Sequence, residues 1–396
     1  MSARIVGLGC VTPEHFAEQS QAAEFGIDGA GLGVERARFA RIIYARSGVA
    51  RRASTLLRST SPSGQPLDQD FIPARAGEPG DSNATSNAQT PTTGDRMARY
   101  SVDAKALAVR AASAALQDAA NAGIGPADIT HIVSVSCTGF CAPGIDHELI
   151  DRLGLRRTVR RLHIGYMGCH GAINALGAAR AFANDEGDSA RILVVCVELC
   201  SLHFQRSERP DQIVANALFA DGAAACVVSG DSAARGPSIS ALGGCVFPNS
   251  GEAMGWRIAD TGFEMTLGES VPRLIEANLA PWLAGWLDSR GRSLEELVKR
   301  GRWAIHPGGP RILDAVQRSL SLSDDALRPS RQVLRDFGNM SSPTVLFILQ
   351  RLLSDAKNAP ADAGSLPVEP VAGAESLPTV ILAFGPGLSV EAALLD

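Results

Sequence analysis

The chain has 396 residues, of which 45% are hydrophobic and 20% charged. That is ordinary for a globular protein of two or three units and excludes bulk disorder. Lys and Arg number 37 against 42 Asp and Glu, a net charge of −5, which argues against a general nucleic-acid binder with its clustered basic residues.

Taken in chain order, the N-terminal apolar run is too short for a signal peptide and ends at Thr12-Pro13-Glu14. Residues 59–94 are dense in Ser, Thr, Pro, Gly and Asn and read as a disordered or surface insertion, poorly ordered at least in its middle: a linker or a lid over a binding site. Ser101 to Ala122 has helical apolar spacing closed by Gly123 to Gly125. His131 to Ser136 reads as a buried strand ending at Cys137-Thr138-Gly139. Leu162 to Gly165 leads into Tyr166-Met167-Gly168-Cys169, and a helix follows from Gly171 to Ala183. Arg191 to Leu199 is a buried strand, apolar until Glu198. No apolar run approaches the ~20 residues of a membrane helix.

The second part repeats this order. Glu269 to Leu287 is a long helical stretch and Ser293 to Val298 a short one. Trp303 to Ile305 is a strand ending at His306-Pro307-Gly308-Gly309. Phe337-Gly338-Asn339-Met340-Ser341-Ser342 precedes a helix from Pro343 to Leu353, and Thr379 to Phe384 is a final buried strand. The glycines before Tyr166 and Asn339, residues 165 and 338, are 173 apart. The expected fold is a duplicated α/β core. An N-terminal half, residues 1–240, would carry Cys169; a C-terminal half, 241–396, would carry His306 and Asn339.

Cys169 lies among small residues at a glycine turn that opens a helix, where partial positive charge and an imidazolium neighbour favour thiolate. A thiolate is a good acyl acceptor. His306 has the best setting of the seven histidines, at a strand end before an open turn; His170 adjoins Cys169 but points elsewhere on its helix. Together His306 and Asn339 can donate hydrogen bonds to one thioester carbonyl, an oxyanion hole. With a malonyl thioester, the same donors would stabilise the enolate left by loss of carbon dioxide. Cys137-x3-Cys141 and Cys196-x3-Cys200 have no second Cys/His pair nearby, so a metal site is not expected. The eight cysteines read as reduced thiols of a cytoplasmic protein.

Five motifs occur in order: Gly-Cys-His-Gly-Ala around Cys169, Leu-Phe-Ala-Asp-Gly-Ala-Ala-Ala over 218–225, Ile-His-Pro-Gly-Gly-Pro, Gly-Asn-Met-Ser-Ser, and Phe-Gly-Pro-Gly-Leu over 384–388. Together they resemble the type III polyketide synthases, the chalcone-synthase-like branch of the thiolase superfamily, from about residue 4 to the C-terminus apart from 59–94. The resemblance implies a thiolase-like αβαβα core, a homodimer, and iterative decarboxylative condensation of an acyl-CoA starter with malonyl-CoA. No cofactor is implied, since coenzyme A thioesters enter as substrates. Cys169 takes the place of the acyl carrier, and His306 and Asn339 those of the decarboxylation and oxyanion residues. Phe219 matches a gating phenylalanine, and Phe263 the second with a one-residue gap. Gly385, Pro386 and Gly387 match the loop that shapes the cavity; Ser341 matches as well. Arg38, Arg41, Arg46 and Arg311 resemble residues that hold coenzyme A phosphates. Cys137, Thr138, Cys200 and His203 stand at the starter pocket and depart from the chalcone-forming pattern, against an aromatic starter. The competing readings are a ketoacyl-ACP synthase III-like enzyme, whose His-Gln-Ala-Asn pattern is absent, and a non-catalytic acyl-CoA-binding partner.

Overall fold

The computed structural model describes residues 3–73, 90–358 and 377–396. The first half contains β1 (Arg4–Val11), β2 (Phe16–Glu18), α1 (Gln19–Ala30), α2 (Val34–Ala45), β3 (Arg51–Ala53) and α3 (Thr93–Ala119). It continues through β4 (His131–Val135), α4 (Ile145–Leu153), β5 (Arg160–Ile164), α5 (Gly171–Glu186), β6 (Arg191–Leu199), α6 (Pro210–Leu218) and β7 (Asp221–Ser229). The second half has β8 (Ile239–Val246), β9 (Met254–Ala259), β10 (Gly262–Leu267), α7 (Val271–Asp288), α8 (Leu294–Arg300) and β11 (Arg302–Ile305). Then come α9 (Pro310–Leu320), α10 (Asp324–Phe337), α11 (Thr344–Asn358), β12 (Thr379–Gly385) and β13 (Ser389–Leu395).

The helix expected from Ser101 begins eight residues earlier. Thr92 caps it by accepting from the Asp95 N–H, and the Asp95 carboxylate accepts from the Thr92 N–H in return. Its alanine face (Ala104, Ala108, Ala111, Ala115 and Ala119) lies directly on β1. Gly7 and Gly9 make that approach possible, since a Cβ on either would stand 2.4 Å from the Ala115 backbone. The α1–α2 pair, α9 and α10 are helices beyond those expected from the sequence.

Of the two larger sheets, one has the order β1-β7-β6-β4-β5 and the other β8-β13-β12-β11; β2–β3 and β9–β10 form two-stranded sheets. Both larger sheets run antiparallel, antiparallel, parallel across their first four strands. Helices α5 and α11 begin 173 residues apart, at 171 and 344. The central strands β4, β6, β7 and β12 are buried on both faces and alternate accordingly, whereas the edge strand β5 is exposed. Ile192, Val194 and Cys196 join α5, α11 and the inner face of the second sheet in one core; Leu193, Val195 and Val197 join α3 and α4 in another. Val380, Leu382 and Phe384 pack outward against α7 and α9. The layers are therefore α3/α4, sheet, α5/α11, sheet, α7/α9, a thiolase-like αβαβα fold. The first sheet draws on residues 4–229 and the second on 239–395.

Of residues 59–94, positions 74–89 lie outside the described residues. The part before them turns inward rather than lying wholly on the surface: Ile72 is buried in the α3 core, and Leu57 bridges to Gln69. Among the described residues no helix is long and apolar enough to cross a membrane. All eight cysteines are free thiols.

Candidate active site

Cys169 is set by a turn that only unusual backbone can make. After β5, Tyr166 (φ 66°) and Gly168 (φ 68°) take left-handed conformations, and a short 3-10 turn over Gly168–His170 feeds α5. The Gly168 N–H donates to Cys137 Sγ at 3.1 Å. A Cβ on Gly168 would lie 2.6 Å from Pro386 Cδ, so the turn sits directly on the loop after β12. His170 is committed elsewhere: Nδ1 meets Asn174 Oδ1 at 2.7 Å and Nε2 meets Ser389 Oγ at 2.8 Å.

The second half presents the corresponding turn before α11. Ser341, 173 residues after Gly168, is also left-handed, with φ 57°. Asn339 is pinned through its backbone between Leu218 and Ala220. Its Oδ1 accepts the Ser341 N–H at 2.8 Å, which leaves the amide N–H₂ to point away as donor. The Asn339 and Ser341 side chains both act on the Cys169 thiol, each favouring its ionised form. Sulfur from the first half and carboxamide from the second thus meet.

Glu198, fully buried at the end of β6, organises the ground around the sulfur. Its Oε2 accepts from the Cys137 N–H (2.9 Å), the Thr138 N–H (3.1 Å) and the Thr138 hydroxyl (2.7 Å); its Oε1 accepts from Ser342 Oγ (2.7 Å). Burial nevertheless pushes its carboxyl up to about 7, with those hydrogen bonds pulling the other way. The role of Ser342 was not foreseen from sequence.

The thiol is not held low, as a helix start and an imidazolium neighbour would predict. Burial pushes Cys169 up to about 12; hydrogen bonds from Ser341 and Asn339 oppose the rise, and negative charge on Glu198 adds to it. His306 is no imidazolium either, because burial carries it down to about 3. Burial thus favours the uncharged form of both groups. His306 follows β11, its N–H donating to the Leu382 carbonyl at 2.8 Å beside the strand that leads to Gly385-Pro386. Its ring is 1% exposed, and neither nitrogen has a hydrogen-bond partner, a costly state for buried polar atoms.

Cys169 opens on a cavity of about 1360 Å³, counting the space at its mouth. Cys137, Thr138, Cys200, His203, Phe219, Phe263, Ser341, Gly385 and Pro386 line it. His306, Asn339 and Gly387 do not; the Gly387 carbonyl instead accepts from Ser250 Oγ. Met254, Gly255 and Trp256, from the β9–β10 hairpin, are wall residues the sequence did not mark. The Phe263 ring is stacked between His203 (4.1 Å) and Trp256 (5.0 Å). His203 Nδ1 accepts the Phe263 N–H, so Nε2 carries the proton to the Thr138 carbonyl. Burial lowers this imidazole to about 4.

Of the four arginines, Arg41 forms a two-pronged pair with Glu24 at 2.7–2.8 Å. Arg38, Arg46 and Arg311 are exposed. Gly48, two residues past Arg46, packs against Pro310, the neighbour of Arg311.

Residues 81–232 match the N-terminal domain of chalcone and stilbene synthases, and residues 240–396 match the C-terminal domain. The chain belongs to the chalcone and stilbene synthase family. It is a type III polyketide synthase, a condensing acyltransferase of that family. Among curated relatives of this synthase, 1,3,6,8-tetrahydroxynaphthalene synthase of Streptomyces peucetius is 36% identical over 73% of this chain and 72% of its own length. An alpha-pyrone synthesis polyketide synthase-like protein of Mycobacterium tuberculosis is 30% identical over 99% of this chain and 90% of its own. The crystal structure of PKS-I from the brown alga Ectocarpus siliculosus covers 100% of this chain and 98% of that one, at 27% identity and TM-score 0.85. The C-terminal type III domain of Steely1 from Dictyostelium covers 100% of this chain and 99% of its own, at 27% identity and TM-score 0.81.

Proposed function

We propose that the synthase loads an acyl group from a coenzyme A thioester onto Cys169 and extends it with malonyl-CoA, then releases a pyrone or phenolic product. The observation that carries this reading is the Cys169 thiol on a cavity wall, with Asn339 and Ser341 from the opposite half both favouring its ionised form. In loading, sulfur attacks the thioester carbonyl carbon. Its proton passes to the neutral His306 ring, which returns it to the departing coenzyme A thiolate. In extension, the bond between malonyl carbon and carboxylate breaks, carbon dioxide leaves, and the electron pair forms an enolate. The enolate oxygen accepts hydrogen bonds from the Asn339 amide and the His306 N–H. The enolate carbon then attacks the acyl carbonyl on Cys169, and the carbon–sulfur bond breaks.

Phe219 and Phe263 would stand between the coenzyme A path and the chain-building space. Arg38, Arg46 and Arg311 would meet the coenzyme A phosphates, with Arg41 contributing less because Glu24 holds it. A homodimer is supported by β5, an edge strand with Leu162, Phe140, Tyr166 and Met167 exposed on it or just beyond strands β4 and β5. Eight free thiols fit a reducing, cytoplasmic setting.

The test is incubation of the purified protein with acyl-CoA starters and either malonyl-CoA or malonyl-ACP. Consumption of malonyl-CoA, with an acyl adduct on Cys169 by mass spectrometry, is expected; Cys169→Ala should abolish the adduct and all chain growth. Consumption of malonyl-ACP alone would move the enzyme to the ketoacyl-ACP synthase III type.

A further inference from the structure

His170 is a buried imidazole that the proposed condensation does not use. It closes the short turn that carries Cys169 and stands at the start of α5. Unlike those of His306, both its nitrogens are engaged. Nδ1 faces Asn174 Oδ1, an oxygen, so Nδ1 carries the ring proton. Burial pushes the ring toward its neutral form. Nε2 is then an acceptor and takes the Ser389 hydroxyl at 2.8 Å.

The place of Ser389 gives that bond its reach. β12 ends at Gly385 and β13 begins at Ser389, and these two residues face each other in register across Pro386-Gly387-Leu388. His170 meets both feet of this loop. At one foot Nε2 holds the Ser389 side chain. At the other the ring lies so near Gly385 that a Cβ there would stand 2.4 Å from Cδ2 and 2.5 Å from Nε2. The loop needs such fastening. Gly387 (φ 70°) and Leu388 (φ 43°) are consecutive left-handed residues, and Leu388 carries a side chain. Backbone of this kind persists where its surroundings over-determine it. Gly385 and Pro386 also line the cavity at Cys169.

Resting on the proposed function, we infer that His170 is a positioning residue that fixes the 385–388 loop relative to the Cys169 sulfur, and that this spacing sets the products as which the growing chain is released. Nucleophile and anchor are neighbours in one short turn, so the loop is tied to the backbone that carries the sulfur. Pro386 is cavity wall, so a displaced loop changes the space in which the chain folds on itself before release. The link is directional. Nε2 ties the ring to the loop, whereas Nδ1 ties it only to its own helix.

The two nitrogens can be separated by substitution. Gln at position 170 offers an amide oxygen in place of Nε2 and can keep the Ser389 link. Asn reaches only as far as Nδ1 and cannot. Wild type, His170→Gln, His170→Asn, Ser389→Ala and the double variant His170→Asn with Ser389→Ala are given malonyl-CoA and whichever of acetyl-, hexanoyl- and dodecanoyl-CoA the wild type turns over fastest. Products are read by mass. The ratio of the main product to the next should change by about threefold or more in His170→Asn and in Ser389→Ala, and no further in the double variant. In His170→Gln it should change by less than about twofold. A ratio unmoved by Ser389→Ala, or moved equally by Gln and Asn, overturns the inference and leaves the condensing activity standing. Should His170→Asn misfold, Ser389→Ala and His170→Gln decide the matter. Failure of the wild type to consume malonyl-CoA with any starter overturns the proposed function instead. The anchor is then read without turnover, by hydrogen exchange of the peptide spanning 383–390. Faster exchange in Ser389→Ala but not in His170→Gln supports it, and any other pattern refutes it.

Discussion

The backbone of Asn339 brackets Phe219. The Asn339 N–H donates to the Leu218 carbonyl and its own carbonyl accepts the Ala220 N–H, at 2.9 Å each. Residues on either side of the proposed gate are therefore tied to the proposed oxyanion donor, and Arg52 hydrogen-bonds the Phe219 carbonyl from below at 2.9 Å. Gate and donor belong to one rigid unit built from both halves.

Asn339→Ala follows from this. The bracket is made by main chain, so the variant should keep the wild-type fold by circular dichroism. Carbon dioxide release from malonyl-CoA should fall by roughly 10²–10³, the cost of one oxyanion donor, while acylation of Cys169 persists. Unchanged carbon dioxide release would remove Asn339 from the mechanism.

Glu198→Gln tests the buried carboxyl. A folded-state value near 7 against an ordinary value of about 4.3 means the native protein binds more protons than the unfolded chain between those limits. Glu198 therefore favours folding below about pH 4 and loses that contribution as pH rises toward 7. Gln keeps an acceptor for Cys137 and Thr138 and has no charge to bury. The stability of the variant relative to wild type should rise between pH 5 and pH 8 in denaturant melts. An identical difference at both pH values would show that Glu198 is not perturbed.

Gly168→Ala puts a side chain on a φ of 68° with Pro386 Cδ 2.6 Å from the new carbon. The conformation alone costs roughly 1–2 kcal/mol, and the clash moves Cys169 or the 385–387 loop. A lower melting temperature with slower Cys169 acylation is expected. Ser341→Gly, at the matching left-handed position, should leave the melting temperature within a few degrees of wild type.

Charge at the proposed coenzyme A mouth should act on binding. Arg46→Ala and Arg311→Ala should each raise KM for coenzyme A thioesters about three- to tenfold with little change in kcat, more so at low salt. Arg41→Ala should do less because Glu24 already occupies its guanidinium. Equal effects from all three would mean that the Glu24 pair opens on binding.

Leu162→Asp places a charge on the exposed edge of β5. Light scattering should find a dimer in the wild type and a monomer in this variant. A wild-type monomer, or an unaltered dimer in the variant, would place the interface elsewhere.

Much of the architecture was legible because glycine turns and buried strand ends leave marks in sequence. Gly165-Tyr166 and Gly338-Asn339 fall at the same register of two repeats, and the left-handed pair Gly168 and Ser341 falls on that register too. The start of α3 could have been read from Thr92 and Asp95, but the Ser/Thr-rich run around them looked like continuous loop. The acid–base state of Cys169 was not legible. A helix start argues for thiolate, whereas burial, which depends on residues from across the fold, outweighs it. Trp256 went unmarked because its place beside Phe263 depends on hairpin register, not on spacing to any motif.

The middle layer carries a consequence for biosynthesis. Helices α5 and α11 share one core although they are encoded far apart. While the second half is still being translated, α5 and the part of the first sheet that α11 will cover lack those partners, and that apolar surface is exposed to aggregation. Cys169 is thus without its Asn339 and Ser341 neighbours until α11 and its preceding turn have emerged.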